Sequence, residues 1–362
     1  MPEILPTEHE KREITFAQAI LEATTQAMDR DGKVIIMGLG VPDPKGIFGT
    51  TLGLKERFGS ERVMDMPAAE NGMTGVAIGA ALNGLRPIMT HQRVDFALLA
   101  LEQIVNQAAK WHYMFDGQCR VPLVIRMVIG RGWGQGPQHS QSLQSFFAHI
   151  PGLKVVMPFS PHDAKGLLAA AIEDDNPVIF LEHRWLHNIK GPVPQEHFTE
   201  TIGKARIVRP GKDVTVVSVS HMTYEGLRAA LVLENAGIDA EVVDVRSLRP
   251  LDSRLVLDSV RKTGRLAVLD TGWKICGFAG EVVAMVAEEA FSDLVAPPIR
   301  ITPPDYPQPT SPALTESYFP SVRQICNKIM VMMEKDPTEL IFPEKNENVP
   351  HDVPDLGFKG PF

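Results

Sequence analysis

Four stretches of this 362-residue chain carry residue types that could do chemistry. The first is VMDMPAAENGMTGVAIGAALNGLRP, residues 63–87, where Glu70 stands between a run of small residues and a nearly all-apolar helical segment. An ionised carboxylate buried there without a partner is costly. Glu70 therefore either meets a ligand or caps the first turn of the helix, where its charge suits the dipole. Gly72, Gly75 and Gly79 follow it in a spacing loosely like a phosphate loop, a weak signal when it stands alone. The plainer reading is a helix of small residues packed closely against another helix or a subunit.

The second stretch, GRGWGQGPQHSQSLQSFFAHIPGLKVV (130–156), places four glycines before Pro137, which marks a long irregular loop of the kind that lines sites. His139 ends that loop, and Ser140 stands where it could cap a following helix. A histidine here is either structural or a proton-transfer group. The third, THQRVDFALLALEQIVNQAAKWHYMF (90–115), puts Phe96 at the head of a helix that follows a strand; by default such a ring is core. The fourth, AAAIEDDNPVIFLEH (169–183), ends a helix in acidic residues and turns through Asn176-Pro177, so the last carbonyls could hold a cation. No HExxH, nucleophile elbow, Walker loop or cysteine–histidine metal cluster occurs in the sequence.

The elements that must position these residues are legible in outline. KVIIMGLG, RPIMTHQ, VPLVIRMVIG, LKVVMPFS and NPVIFLEH are short apolar runs, several apolar on both faces as buried parallel strands are. Helical patterns separate them, including SPHDAKGLLAAAIEDD, which opens with Ser160 and Pro161 in cap and first-turn positions. The alternation implies βαβ units around a parallel sheet. It pauses at a polar, Pro- and Gly-containing stretch near 190–205 and restarts with VTVVSVS, a helix over TYEGLRAALVLENAG, DAEVVDVRSL, RLAVLDTG and IRITPPD. The expected organisation is α/β, with two parallel-sheet domains over 1–195 and 205–335 and a Pro-rich tail, 336–362, extended on a surface or mobile.

Composition narrows the function classes. With 44% hydrophobic and 22% charged residues the chain reads as globular, and a formal charge of −8 argues against nucleic-acid or anionic-membrane binding. No apolar run is long enough to span a bilayer, and the charged N-terminus lacks the apolar core of a signal peptide. Three widely separated cysteines, with no CxxC, suggest a reducing compartment and a cytoplasmic location.

The stretches MPAAENGMTGVAIGAALNGLRP, VDFALLALEQIVNQAAKWHYM, QHSQS…AHIPGLKVVMPFSPHDAKGLLAAAIEDDNPVIFLE and VDVRSLRPLD resemble, collinearly over about residues 10–335, the β subunits of thiamine-diphosphate-dependent 2-oxoacid dehydrogenases. These β subunits, of the pyruvate, branched-chain and acetoin dehydrogenase type, belong to the transketolase-like superfamily. The resemblance implies a pyrimidine-binding domain followed by a transketolase C-terminal domain. It implies that Glu70 hydrogen-bonds N1′ of the cofactor's aminopyrimidine, that Phe96 stacks near that ring, and that His139 is the active-site histidine. By the same matching, Leu123, Ala171, Ile172, Asp174 and Asn176 fall on a monovalent-cation (K⁺) site built largely from backbone carbonyls. The GDG motif that holds Mg²⁺ and the diphosphate is missing from this chain. The resemblance therefore implies an α subunit carrying it, an α₂β₂ heterotetramer, and in the usual case a lipoyl acyltransferase as acceptor.

Departures from the family pattern bear on substrate. Leu39 stands where an acidic residue is usual, THQRV stands where the family reads like EFMTF, Arg131 and Trp133 replace small residues, and LEHRWLHN is unusual. His91, Arg93 and Trp133 are thereby candidate substrate contacts. Two other readings stay open: a split transketolase-like enzyme moving a carbon unit without a lipoyl acceptor, and a non-catalytic subunit retaining the fold.

Overall fold

The structure is a computed structural model that describes residues 12–132 and 134–342. Among the described residues the chain forms two compact units, one running to Ile129 and resuming over His149–Ile202, the other comprising Gly130–Ala148 and 203–342. The tail expected over 336–362 is described only to Phe342.

In the first unit the parallel strands lie in the order Lys154–Val156, Val178–His183, Val124–Ile129, Arg86–His91, Val34–Met37, Val63–Met64. Strands Val124–Ile129 and Val178–His183 are buried at every position, because helices cover both faces. Helix Phe16–Arg30 opens with a capping box in which Thr15 Oγ1 accepts from Gln18 N and Gln18 Oε1 accepts from Thr15 N. Its Phe16, Ile20, Ala23 and Ala27 face the core, with Leu167, Leu168 and Ala171 of helix Pro161–Glu173 in the same cluster. Burying each large side chain there contributes about 1.5–3 kcal/mol. Ser160 caps the second helix, accepting from Asp163 N at 3.0 Å, with Pro161 at the first helical position.

A buried ion pair crosses two neighbouring strands of this sheet. Arg126 Nε donates to Glu182 Oε1 at 2.7 Å, both side chains are 1% exposed, and His187 Nε2 lies 3.3 Å from Glu182 Oε2. Desolvation opposes the Glu182 charge, but Arg126 and His187 outweigh it and hold the carboxyl at about 2. Burial pushes the His187 imidazole down to about 4.

The second unit has strands in the order Ile299–Ile301, Leu266–Leu269, Val214–Ser218, Ala240–Asp244, Arg206–Arg209. The first three pairings are parallel, whereas Arg206–Arg209 runs antiparallel at the edge, so this sheet is mixed where an all-parallel one was expected. The edge strand follows the entering chain directly, with no crossover helix to turn it round. Helix His221–Asn235 and helix Val322–Met332 pack its core through Met222, Ala229, Leu233, Ile325 and Ile329. The 130–148 segment joins this unit through short helix Gln144–Ala148: Gln144 Nε2 donates to the buried Asp270 at 2.6 Å, and Ser145 Oγ accepts from Phe278 N at 3.1 Å. Among the described residues no helix is long and apolar enough to cross a membrane, and all three cysteines are free thiols.

Candidate active site

Glu70 is the first residue of helix Glu70–Leu82, reached from strand Val63–Met64 through a tight turn in which Ala69 N donates to Pro67 O. Alanine at the cap position supplies no side-chain acceptor, so Glu70 alone brings negative charge to the helix start. The residue is 9% exposed, and among the described residues its carboxylate has no hydrogen-bond donor or cation as partner. Its oxygens reach the surface and stay open to a donor from outside the described residues. One turn on, Thr74 Oγ1 lies 3.3 Å from His91 Nε2, which ties strand Arg86–His91 to the same helix. Burial lowers His91 to about 4, so the imidazole is neutral at pH 7. Gly75 lies against Gln103, while a side chain at Gly72 or Gly79 would meet nothing within 4 Å. The small-residue helix is thus packed on one side and open on another.

Beyond His91 the chain turns into the short helix Val94–Ala97, which carries the half-buried Phe96. The helical pattern expected to run on from there is divided into a 3₁₀ turn at Leu98–Ala100, a π turn at Gln103–Ala108 and a last α turn at Trp111–Met114. Arg93 is buried, with its guanidinium carbon 5.9 Å from the centroid of Phe48. Arg184 reaches the same ring at 4.4 Å. Burial lowers both guanidiniums to about 10, and Arg93 adds repulsion at Arg184; both stay charged at pH 7. Phe48 and Arg184 are a pairing that no local motif announced, although Arg184 belongs to the unusual LEHRWLHN.

The carbonyl group assigned to a cation carries partners of its own. Arg86 Nη1 donates to Ile172 O and Asp174 O, each at 3.1 Å, and Leu123 O accepts from Val178 N at 3.0 Å. Lys154 and the Asp174 carboxylate form an ion pair, and Asn176 N donates to that carboxylate at 2.9 Å. Ala171 and Ile172 are buried in the helix that ends here. Each engaged carbonyl keeps one lone pair for a further ligand. Elsewhere in this unit, His162 Nδ1 lies 3.5 Å from Asp163 and 3.6 Å from Glu200, a His–carboxylate group brought together by the fold and absent from any sequence motif.

His139 lies in the second unit, on the loop after Gly130, and is exposed. Its N–H donates to Gly136 O at 3.2 Å. Ser140 does not cap the next helix, which starts only at Gln144; the chain is still held in the loop there, since Gln141 O accepts from Gly130 N. Trp133 lies outside the described residues. Glu70, Phe96, His91 and Arg93 are thus gathered at neighbouring strand and helix ends of the first unit, and His139 is presented by the second.

Comparison with known proteins gives two domain matches: "Transketolase, pyrimidine binding domain" over residues 12–189 and "Transketolase, C-terminal domain" over 203–325. The chain is 44% identical over 324 residues to the β subunit of acetoin:2,6-dichlorophenolindophenol oxidoreductase from Cupriavidus necator, covering 87% of this chain and 96% of that protein. It is 41% identical over 317 residues to the pyruvate dehydrogenase E1 component subunit beta from Rickettsia felis, covering 88% and 97%. Among solved structures it matches a split-gene transketolase described as an inactive β4 tetramer, with a TM-score of 0.71 at 24% identity, over 89% of this chain and 99% of that one. That last likeness speaks for the fold alone.

Proposed function

This chain belongs to the transketolase-like family of pyruvate and acetoin dehydrogenase β subunits, and from that membership we propose that it is the β subunit of a thiamine-diphosphate-dependent 2-oxoacid dehydrogenase, completed by an α chain. The observation that carries the proposal is Glu70, a buried carboxylate at a helix start with no partner among the described residues. Its environment fits a group that brings its own N–H or protonated ring nitrogen.

Thiamine diphosphate, when bound, supplies the electron sink for decarboxylation of a 2-oxo acid. Glu70 holds a proton against N1′ of the aminopyrimidine, and Phe96 lends its half-buried ring as an apolar wall for that heterocycle. His139, exposed on its loop, moves a proton at the substrate. Arg93, three residues before Phe96, keeps its charge and is the residue through which an anionic substrate would be favoured. Mg²⁺ and the diphosphate are held by the α chain, because this sequence has no GDG motif, and the assembly is an α₂β₂ heterotetramer. The carbonyls of Leu123, Ala171, Ile172, Asp174 and Asn176 take K⁺ through the lone pairs that Arg86 and Val178 leave over. A lipoyl acyltransferase receives the acyl unit.

Titration calorimetry with thiamine diphosphate and Mg²⁺, on this chain alone and then mixed with its α chain, tests the reading. Binding is expected only in the mixture; tight binding to the isolated chain would overturn the shared site. Repeating the titration in sodium instead of potassium buffer, with thermal melting alongside, tests K⁺: affinity and melting temperature that do not move would leave those carbonyls to their partners within the chain, Arg86 and Val178. A split transketolase is the second reading, favoured by the polar His91 and Arg93 at the strand end. Ketol transfer between sugars, without 2-oxo-acid-driven reduction of dichlorophenolindophenol, would decide for it.

A further inference from the structure

The loop that carries His139 is fastened to residues 306–319 of its own unit by three attachments. Arg131, only 1% exposed, donates from Nη2 to Thr310 O at 3.2 Å, and its guanidinium carbon stands 5.8 Å from the centroid of Phe319. At Gly136 the backbone comes so close to Thr310 that a Cβ would collide with the threonine hydroxyl. Gln308 Nε2 reaches Gln135 O at 3.5 Å. Within the loop, Gln135 Oε1 accepts from Gly132 N at 2.8 Å and Gly136 O accepts from His139 N, so the chain is braced from Arg131 to His139. The anchoring segment is itself fixed: Trp273 Nε1 donates to Tyr306 O at 3.2 Å, and Tyr318 packs edge-on against both Tyr306 and Phe319.

A loop with glycine at 130, 132, 134 and 136, two of them at φ near +70°, has large conformational freedom to lose. From this geometry we propose that Arg131 is a positioning residue. It sets where His139 is presented by clamping the glycine loop onto Thr310 and Phe319. A buried guanidinium held by a carbonyl and an aromatic face resists displacement, since moving it would leave a charge unsatisfied in the interior. The proposal rests on the reading of His139 as the proton-transfer group.

The test compares Arg131→Ala, Arg131→Lys, Gly136→Ala, His139→Ala and the Arg131→Ala/His139→Ala double variant in the enzyme assembled with its α chain. The readout is dichlorophenolindophenol reduction with the best substrate from a panel of 2-oxo acids and acetoin. Arg131→Ala and Gly136→Ala are expected to lower kcat about 10- to 100-fold, as misplacement of a reacting group does, with KM and thiamine-diphosphate affinity little changed. Arg131→Lys restores part of the loss. Because Arg131 acts through His139, the double variant should be no slower than His139→Ala alone. Losses that multiply in the double variant, or full turnover by Arg131→Ala beside an impaired His139→Ala, would overturn the positioning role only. Full turnover by His139→Ala would overturn the reading of His139 and the proposal with it. If Arg131→Ala does not fold, Arg131→Lys and Gly136→Ala, each alone and combined with His139→Ala, give the same decision.

Discussion

Glu70 and Glu182 are both carboxylates buried in the first unit, and their surroundings are opposite. Glu182 is charge-paired: Arg126 donates to one oxygen at 2.7 Å, the His187 ring lies 3.3 Å from the other without completing a hydrogen bond, and the carboxyl is held at about 2. Glu70 sits at a helix start, and no described residue reaches its oxygens. A protein that needs a carboxylate for its own architecture surrounds it with donors at once, because desolvation otherwise costs several kcal/mol. Glu70 has none of them, and its oxygens are open at the surface. On the reading proposed above, the difference separates an acid that holds the sheet from an acid placed for a ligand.

The largest expected effect tests the open side of that comparison. Glu70→Gln preserves shape but cannot carry the negative charge, and in the assembled enzyme it should lower turnover about 10²- to 10⁴-fold. Stability should stay within about 0.5 kcal/mol of wild type, since no partner is stranded. Turnover within a few-fold of wild type would reduce Glu70 to a helix-start charge. Glu182→Gln is expected to behave in reverse. It leaves Arg126 buried and uncompensated, at a cost of about 3–5 kcal/mol in chemical denaturation, a large part of a typical 5–15 kcal/mol total. Replacing both partners, Arg126→Met with Glu182→Leu, should recover most of that loss. If Glu182→Gln costs less than about 1 kcal/mol, the two carboxylates do not differ in the way described.

How much of this was legible from sequence differs residue by residue. Glu70 was visible because a lone acid between PAA and an apolar glycine run is locally odd, and Ser160-Pro161 announced a helix start that the structure keeps. The Arg126–Glu182 pair was not, since 56 positions separate the two and only the adjacency of strands Val124–Ile129 and Val178–His183 brings them together. The same holds for Arg131 and Thr310, 179 positions apart. Residues 94–115 show helical spacing throughout, yet the backbone passes through 3₁₀ and π turns. There Gln103 lies against Gly75 of the neighbouring helix, and a single sequence cannot carry the demands of such packing. Ser140 failed as a cap because its neighbour Gln141 is bound to Gly130 across the loop, again a contact between positions that spacing does not connect.

The smallest effect is in pH dependence, and it sharpens the closed side of the comparison. His187 is held near 4 against an ordinary value of 6.5, mainly by burial, so between those pH values the unfolded chain binds a proton that the folded chain refuses. Its contribution is full above pH 6.5 and is lost as pH falls toward 4. His91, also held near 4 by burial, acts in the same window. Glu182, held near 2 against 4.5, contributes fully above pH 4.5 and loses its contribution as pH falls toward 2. Acid should therefore weaken the fold in two stages, histidines first and the ion pair second. In denaturation measured at several pH values, His187→Gln should remove about 1.4 kcal/mol per pH unit from the slope between 6.5 and 4, one proton's worth. Glu182→Gln should flatten the slope below 4.5. A His187→Gln slope equal to wild type would mean that the imidazole is protonated in the folded chain, and that Glu182 is paired with two cations where this account gives it one cation and a neutral ring.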